Sequence, residues 1–422
     1  MADIIIIGAG AAGLTAARLL AGKGKAVTVL EARDRIGGRI HTTRSDGFSI
    51  PVEHGAEFIH GDLTETLSLV KETNVKLKKS KGRVYSINGG QLEKSDLFPD
   101  VDIVMKKLDH LQEDMPMGNF LQRYFGGSHY EQLRQSVTRM VQGLDAADVS
   151  KASAFGLRDE WSSEDESKQY HLVGGYGTLI DFLHRQAEEA GVLFVFNTVV
   201  KDVRWDRNHV EVVTQDGKYS GGKLITTIPP AVLRTGSVRF TPSIPRQMDE
   251  IQKIETGGVI KFLFEFSEPV WERECFRSLP NLHFLFSDAF VPTWWTQPSS
   301  DVPLLTGWLS GPVTQTLNMD DEVLLQSGYQ SLGYLLGCTG DQLKNHVKAT
   351  KVINWLADPW ARGAYAYKTV TTAHALEVLS RPVEDTIYFA GEAFYGGPEM
   401  GTVEAALSSG KTVAAQCLGS GD

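Results

Sequence analysis

The sequence predicts an α/β fold, mixed α+β overall, spread over two domains. Three observations predict it. The chain has 422 residues, more than one ordinary hydrophobic core organises. Residues 3–31 read as strand, glycine turn, helix and strand, the unit of a parallel sheet. Farther along, short β-branched runs return between helical stripes and turn signals.

Asp3 to Ile7 is a short apolar run rich in isoleucine, expected as a buried parallel strand. Gly8-Ala9-Gly10-Ala11-Ala12-Gly13 follows directly. Leu14, Ala17, Leu20 and Ala21 then share one helical face, and Gly22 and Gly24 end the helix. Lys25 to Glu31 is the second strand. A lone glycine motif carries little weight, but here it has the full context of a Rossmann-type dinucleotide site. Gly8 permits the tight turn, Gly10 lets backbone approach a pyrophosphate, and Gly13 lets helix and strand pack closely. Ala12 belongs to the same cradle. The helix N-terminus offers N–H groups and partial positive charge to the anion. Glu31 ends the second strand, where a carboxylate accepts ribose hydroxyls and repels a 2′-phosphate.

Arg33-Asp34-Arg35-Ile36-Gly37-Gly38-Arg39 continues straight from that strand. Two glycines between arginines suit a second loop over a pyrophosphate, with Arg39 as a charge-assisted donor. A nicotinamide cofactor does not need this second clamp, so FAD is favoured. The plain alternative is a solvent-exposed arginine loop.

From this point the residues resemble a known family. Glu31-Ala32-Arg33 with Ile36-Gly37-Gly38-Arg39 is similar to the start of the flavin-dependent amine oxidases. That group spans monoamine, polyamine and L-amino-acid oxidases and flavin-type histone demethylases. Later stretches resemble the family in the same order. Glu53 to Gly61, with Gly55, Ala56, Glu57 and Phe58, resembles the segment beside the flavin. Val173 to Gly177 resembles its double-glycine turn, and Ile228-Pro229-Pro230 its strand-ending prolines. Gly257 to Lys261 resembles the segment bearing the active-site lysine. Trp355 and Trp360 to Tyr365 resemble the flavin-facing stretch. Tyr388 to Glu392, with Gly391 and Glu392, and Gly401 to Ala406, with Thr402 and Val403, resemble the closing strand, turn and helix.

The resemblance implies a Rossmann-type FAD-binding domain from residues 1–62, 169–250 and 363–422. A mixed sheet-and-helix substrate domain is interleaved at 63–168 and 251–362. It implies that a backbone amide near Val200 meets the adenine. The residues themselves predict a helix within Tyr170–Gly191 and a buried strand over Leu193–Phe196. They also predict a hairpin turning at Asp206-Arg207-Asn208, a strand over Asp385–Gly391 and a helix over Thr402–Leu418. The N-terminus of that last helix, capped by Thr402 with the Val403 N–H beside it, would face negative charge on reduced flavin; an ordinary docking helix is the alternative.

The implied activity is oxidation of an amine to an imine by hydride transfer to flavin N5. The imine hydrolyses to a carbonyl product, and dioxygen reoxidises the flavin to give hydrogen peroxide. Lys261 sits in an apolar strand, where an uncompensated ammonium is costly. The resemblance gives it a water at N5 and a part in the oxygen reaction; a strand lysine snorkelling to solvent is the alternative. Tyr365 matches one ring of the aromatic pair that sandwiches the amine. The partner position falls on Pro398, with Phe394 and Tyr395 as nearby substitutes. Ala364 stands where animal monoamine oxidases carry their flavin-linking cysteine, so non-covalent FAD is expected. Trp355 and Trp360 pack near the flavin or serve as plain core. His54, His60 and Glu57 are left open between flavin contacts and structural roles, with structure favoured for the histidines.

Elsewhere the sequence excludes more than it assigns. A net charge of −10 offers no basic surface for nucleic acid. No apolar run reaches the roughly 18 residues of a membrane span, and with Asp3 near the start a cytoplasmic protein is expected. Cys275, Cys338 and Cys417 form no Cys-x-x-Cys pair, so no metal or thiol relay is expected, and three buried thiols are. Val101, Val104, Leu108 and Leu111 form a helical core stripe. The acidic stretch Asp159–Ser167 is a solvated loop or, alternatively, an attractor of cationic amines. The expected partners are a small-molecule amine and O2, in a monomer or homodimer. Competing readings are a flavin oxidase or desaturase of carbon–carbon bonds, an amine dehydrogenase with a protein electron acceptor, and a non-catalytic FAD-binding interaction protein.

Overall fold

A computed structural model gives the fold and describes residues 2–44, 47–94, 101–163, 168–297 and 302–419. The opening unit forms as its sequence dictates. Strand β1 (Ala2–Ile7) leads through the glycine turn into helix α1 (Ala11–Ala21), and strand β2 (Val27–Leu30) lies parallel beside β1. Because side chains alternate along a strand, β1 serves two cores. Ile4 and Ile6 pack with α1, while Ile5 and Ile7 enter the core on the opposite face. A strand covered on both faces explains the unbroken isoleucine run.

These strands sit in an eight-stranded sheet. Its order is 193–195, β2, β1, 218–226, 209–214, 200–206 and 239–241, with 387–389 pairing alongside 218–226. The hairpin turns where expected, with Asn208 at φ +61°. The strand at Leu193–Val195 corrects its prediction. It lies at the sheet edge, paired with β2, and Leu193 is 57% exposed rather than buried. The helix Gly177–Glu189 and the C-terminal helix α2 (Val403–Gly419) match their expected positions. All eight strands fall within residues 1–62, 169–250 and 363–422.

A second sheet has seven strands, in the order 347–354, 259–266, 304–310, 293–296, 282–287, 83–88 and 91–94. Its strand β3 (Val259–Phe266) is buried along all eight residues and has antiparallel neighbours on both sides. Ile260, Phe262, Phe264 and Phe266 join one core. Alternation sends Lys261, Leu263 and Glu265 to the other face. There Leu263 packs with Phe48 and Val52, and Glu265 accepts from the Ser49 N–H at 2.8 Å. The lysine therefore shares the face that meets the segment leading to residue 58.

Four helices, Val101–Leu108, Met117–Phe125, Glu131–Gly143 and Ala154–Ser163, form a further cluster. Val104, Leu108 and Leu111 are buried in it, so that stripe is core. The cysteines are free, but only Cys417 is buried; Cys275 is exposed and Cys338 half-buried. Both of the latter lie in irregular segments, and Cys338 is only partly covered by the core of the seven-stranded sheet. Among the described residues, no helix is long and apolar enough to cross a membrane.

Helices α1 and α2 approach closely because Gly410 has no side chain. A Cβ there would lie 2.4 Å from the Ala12 carbonyl oxygen. Gly410→Val is expected to cost about 1–3 kcal/mol by overpacking. Thermal unfolding of the variant checks this, and an unchanged Tm would show that the helices can part freely.

Candidate active site

One continuous cavity of about 820 Å³ runs from the glycine turn to Lys261, within the size range of small-molecule sites. At one end the cradle is built by glycines. Gly8 has φ +104°, and a Cβ on Gly13 would lie 2.0 Å from the Gly8 carbonyl oxygen. Gly13 is thus the packing glycine and does not itself line the cavity. Gly10 and Ala12 do line it, and around the Cβ position of Gly10 no atom lies within 4 Å. The second loop folds onto the first through a bridge between Gly10 and Gly37, whose N–H bonds the Ala9 carbonyl at 2.9 Å. Gly37 and Gly38 both need positive φ, +94° and +59°. Ala32, Arg33, Gly37, Gly38 and Arg39 all line the cavity.

Glu31 is buried and accepts from the Ala9 N–H at 2.7 Å and the Arg33 N–H at 2.9 Å. Each carboxylate oxygen has two acceptor sites, so the ribose contact expected of it remains open to it. Arg39 departs from expectation. Its Nη1 donates to the Ala364 carbonyl at 2.6 Å and to Glu392 at 2.7 Å. The close carboxylate captures that donor, and the remaining guanidinium N–H groups are what it can offer an anion. Arg33 likewise pairs with Asp358 at 2.7 Å. Val200 lines the cavity at the start of its strand, near Glu31.

At the other end stands Lys261, 1% exposed. Its Nζ lies 2.5 Å from Glu57 Oε2 and 3.3 Å from the Gly55 carbonyl. The strand lysine does not snorkel to water. Gly55, Ala56, Glu57 and Phe58 line this wall, and a Cβ on Gly55 would strike the Arg39 carbonyl at 1.7 Å. Trp355 and Trp360 line the cavity too. Trp355 is buried and donates to the His54 carbonyl at 2.9 Å. Helix α2 directs its N-terminus here. Thr402 caps it, accepting from the Ala405 N–H at 3.2 Å, and Gly391, Glu392, Gly401, Thr402 and Val403 line the wall. Gly401, at φ +91°, packs this turn against Tyr365.

Tyr365 lines the cavity and donates to the Leu144 carbonyl at 2.5 Å. Neither Phe394 nor Tyr395 joins it there. Phe394 packs on Phe389, and Tyr395 bonds Glu399 at 3.0 Å. The aromatic wall comes instead from strands the sequence reading passed over: Trp295 and Trp308, whose rings lie 5.7 Å apart, and Phe284. Alternation in Thr293-Trp-Trp-Thr296 was the available signal, since it sends one of two adjacent tryptophans inward and one across. His54 stacks edge-on with His41 at 4.8 Å, away from the cavity lining. His60 lines the cavity, and burial, then the charge of His171, lowers its pKa to about 4.

The acidic stretch divides. Glu160 lines the cavity and Asp159 faces solvent; Glu164 to Ser167 lie outside the described residues. Glu160 hydrogen-bonds Asp145, a residue no sequence signal marked. Burial, the Asp145 charge and that bond raise the Glu160 carboxyl well above its usual range. Glu399 and one opposing cation, Lys368, complete this corner. Among the described residues, no cluster of His, Cys, Asp and Glu is arranged to hold a metal.

Comparison with known proteins decides the family. Residues 11–418 match the family described as flavin containing amine oxidoreductase. The chain belongs to that family. Mouse lysine-specific histone demethylase 1B is 26% identical over 93% of this chain and 50% of its own length. Rice polyamine oxidase 4 is 27% identical over 98% of this chain and 88% of its own. The chain thus spans about half the length of that demethylase. Among solved structures, cyclohexylamine oxidase from Brevibacterium oxydans superimposes with a TM-score of 0.81 at 20% identity, covering 99% of both chains. Putrescine oxidase bound to putrescine gives 0.79 at 22%, again over 99% of both. These likenesses establish the shared fold.

The cofactor of this flavin-containing oxidoreductase is FAD, and the cavity residues fit it. The cradle has open space at Gly10, a carboxylate where a ribose would lie, and a capped helix N-terminus at the far end. Beside it, Glu53 accepts from Thr42 and from the Tyr176 N–H at 2.6 Å. Burial raises its pKa to about 7, against the lowering effects of the Tyr176 bond and the Lys261 charge. Its folded pKa exceeds the ordinary 4.5, so the folded state holds the proton more tightly. Stability should fall as pH rises from about 4.5 to 7, by about 3 kcal/mol. Glu53→Gln should flatten that decline in thermal unfolding; an equal slope in both proteins would refute the assignment.

Proposed function

We propose that the protein oxidises a small-molecule amine to an imine, which water converts to a carbonyl product and a released amine or ammonia. Dioxygen takes the electrons and leaves as hydrogen peroxide. The observation that carries this reading is that the dinucleotide cradle, Lys261 and Tyr365 line one cavity. When bound, the flavin accepts the equivalent of a hydride from the carbon bearing the amine. No strong acid or base is then required of the chain.

The residues bind, orient and exclude water. The Tyr365 ring and the tryptophan wall enclose the amine, and aromatic faces favour positive charge developing on its nitrogen. Lys261 holds a fixed cation at the cavity wall, placed to stabilise negative charge arising on oxygen. None of the three cysteines lines the cavity, and position 364 is alanine, which supports FAD held without a thioether. The Asp145–Glu160 corner with Glu399 supports an amine bearing a second positive charge, such as a diamine or polyamine. The related polyamine oxidases and the putrescine-bound fold neighbour agree with that choice.

Anaerobic absorbance with a panel of monoamines, diamines, polyamines and amino acids tests this. Bleaching of the flavin band by diamines or polyamines is expected, with colour restored by air. No bleaching by any amine, while dithionite still reduces the flavin, would move the reading to carbon–carbon oxidation or a non-catalytic FAD protein. Bleaching that air does not reverse would instead indicate a dehydrogenase. Lys261→Met should retain flavin and slow stopped-flow reoxidation at least about tenfold. Tyr365→Ala should lower kcat/KM by roughly tenfold, and unchanged kinetics on every active amine would remove Tyr365 from the site.

A further inference from the structure

Glu57 is the most heavily committed carboxylate in the cavity wall. It is 6% exposed and comes from the segment Glu53–Gly61. Its Oε2 takes Lys261 Nζ at 2.5 Å. Its Oε1 accepts from Trp295 Nε1 at 2.8 Å and from Gln297 Nε2, and faces His171 Nε2 at 3.3 Å. Lys261, Trp295 and Gln297 all belong to or adjoin strands of the seven-stranded sheet, whereas Glu57 precedes strand 58–60 of a different one. Four groups thus converge on one side chain, three of them across the seam between the sheets, while His171 stands in the strand paired with 58–60.

Both ions are almost fully buried, and a buried ammonium without a counter-ion sheds its proton. Among the described residues, no carboxylate other than Glu57 forms an ion pair with Lys261. Glu53 acts on Lys261 and Glu57 at longer range and is itself pushed toward its protonated form. His60 and His283 feel the charge of His171 and have lowered pKa values, about 4 in each case, so both are neutral at pH 7. Burial pushes the Glu57 carboxyl up. The Lys261 charge, then the His171 hydrogen bond, more than offset this and hold it below the usual carboxylate range.

We propose that Glu57 is a positioning residue that keeps Lys261 as a fixed ammonium ion on the cavity wall across the neutral pH range. The residue places the cation as well as preserving it. The Gly55 carbonyl and Glu57 take two of the ammonium protons, which directs the third. The inference rests on the flavin reading above, but not on the identity of the substrate or of the electron acceptor.

The experiment is the midpoint potential of the bound flavin, measured with reference dyes in the holoenzyme from about pH 6 to 9. In the wild-type protein the pair stays charged and adds no inflection to the potential. In Glu57→Gln, Lys261 lacks its counter-ion, titrates within this range and adds an inflection. In the double variant Glu57→Gln/Lys261→Met the inflection vanishes. A Glu57→Gln profile superimposable on the wild type, or an inflection that survives in the double variant, overturns the proposal. If Glu57→Gln loses its flavin or fails to fold, the double variant decides. Recovery of flavin and Tm on removing the second charge supports the pair. No recovery means that Glu57 only braces Trp295, Gln297 and His171, which overturns it. Because dyes replace amine and oxygen, failure of the amine panel with a persistent inflection would sink the proposed reaction and leave the ion pair standing.

Discussion

Taking a lysine out of water costs several kcal/mol unless a counter-charge and hydrogen bonds replace what water gave it. Lys261 occupies the third position of a strand whose eight residues are all buried, so the fold must bring a carboxylate to it. Glu57 arrives from the loop that lines the same wall of the cavity, and Glu265, on the same face of β3, bonds Ser49 of that approach. The two contacts pin residues 48–58 between the sheets. The cavity follows from this arrangement, because its wall on that side is the same segment.

The other end of the cavity is governed by close approach of backbones. Gly8 and Gly13 let α1 start against the sheet, and Gly10 meets Gly37 so that two loops close on one space. Gly257 repeats the device near Tyr365. A Cβ there would strike the Ala146 carbonyl at 2.5 Å, so glycine lets the loop with Leu144 and Asp145 reach the tyrosine. Small residues thus decide where polar side chains can stand. The acidic corner of the cavity exists because residues 145 and 160, from separate parts of the helical cluster, meet over this opening.

Much of the chemistry is electrostatic placement. A helix N-terminus, an ammonium ion and the Asp145–Glu160 carboxyl pair sit around one cavity, where low dielectric strengthens each interaction. Arg39 shows how such placement is shared out. A cation next to Glu392 and a carbonyl at 2.6–2.7 Å first satisfies those acceptors, joining the loop after β2 to the stretch before α2. The guanidinium therefore serves the architecture as well as the cradle.

Local sequence determined the opening β-α-β unit, its glycine turns, the hairpin at Asn208 and the capped C-terminal helix. Each depends on neighbours within a few residues: β-branched runs, positive φ at glycine or asparagine, and a threonine oxygen three residues before its N–H partner. The motif order also carried the family, since spacing survives where identity is low. What only the tertiary structure decided were the contacts between distant segments. Leu193 is apolar yet exposed, because an edge strand has one uncovered side. Phe394 and Tyr395 lie near Tyr365 in the expected loop, but they turn to Phe389 and Glu399, and Trp295 and Trp308 form the wall instead. The partner of Lys261 stands 204 positions away in sequence. Alternation along β3 told which face the lysine would take; only the packing of the two sheets could tell what would meet it there.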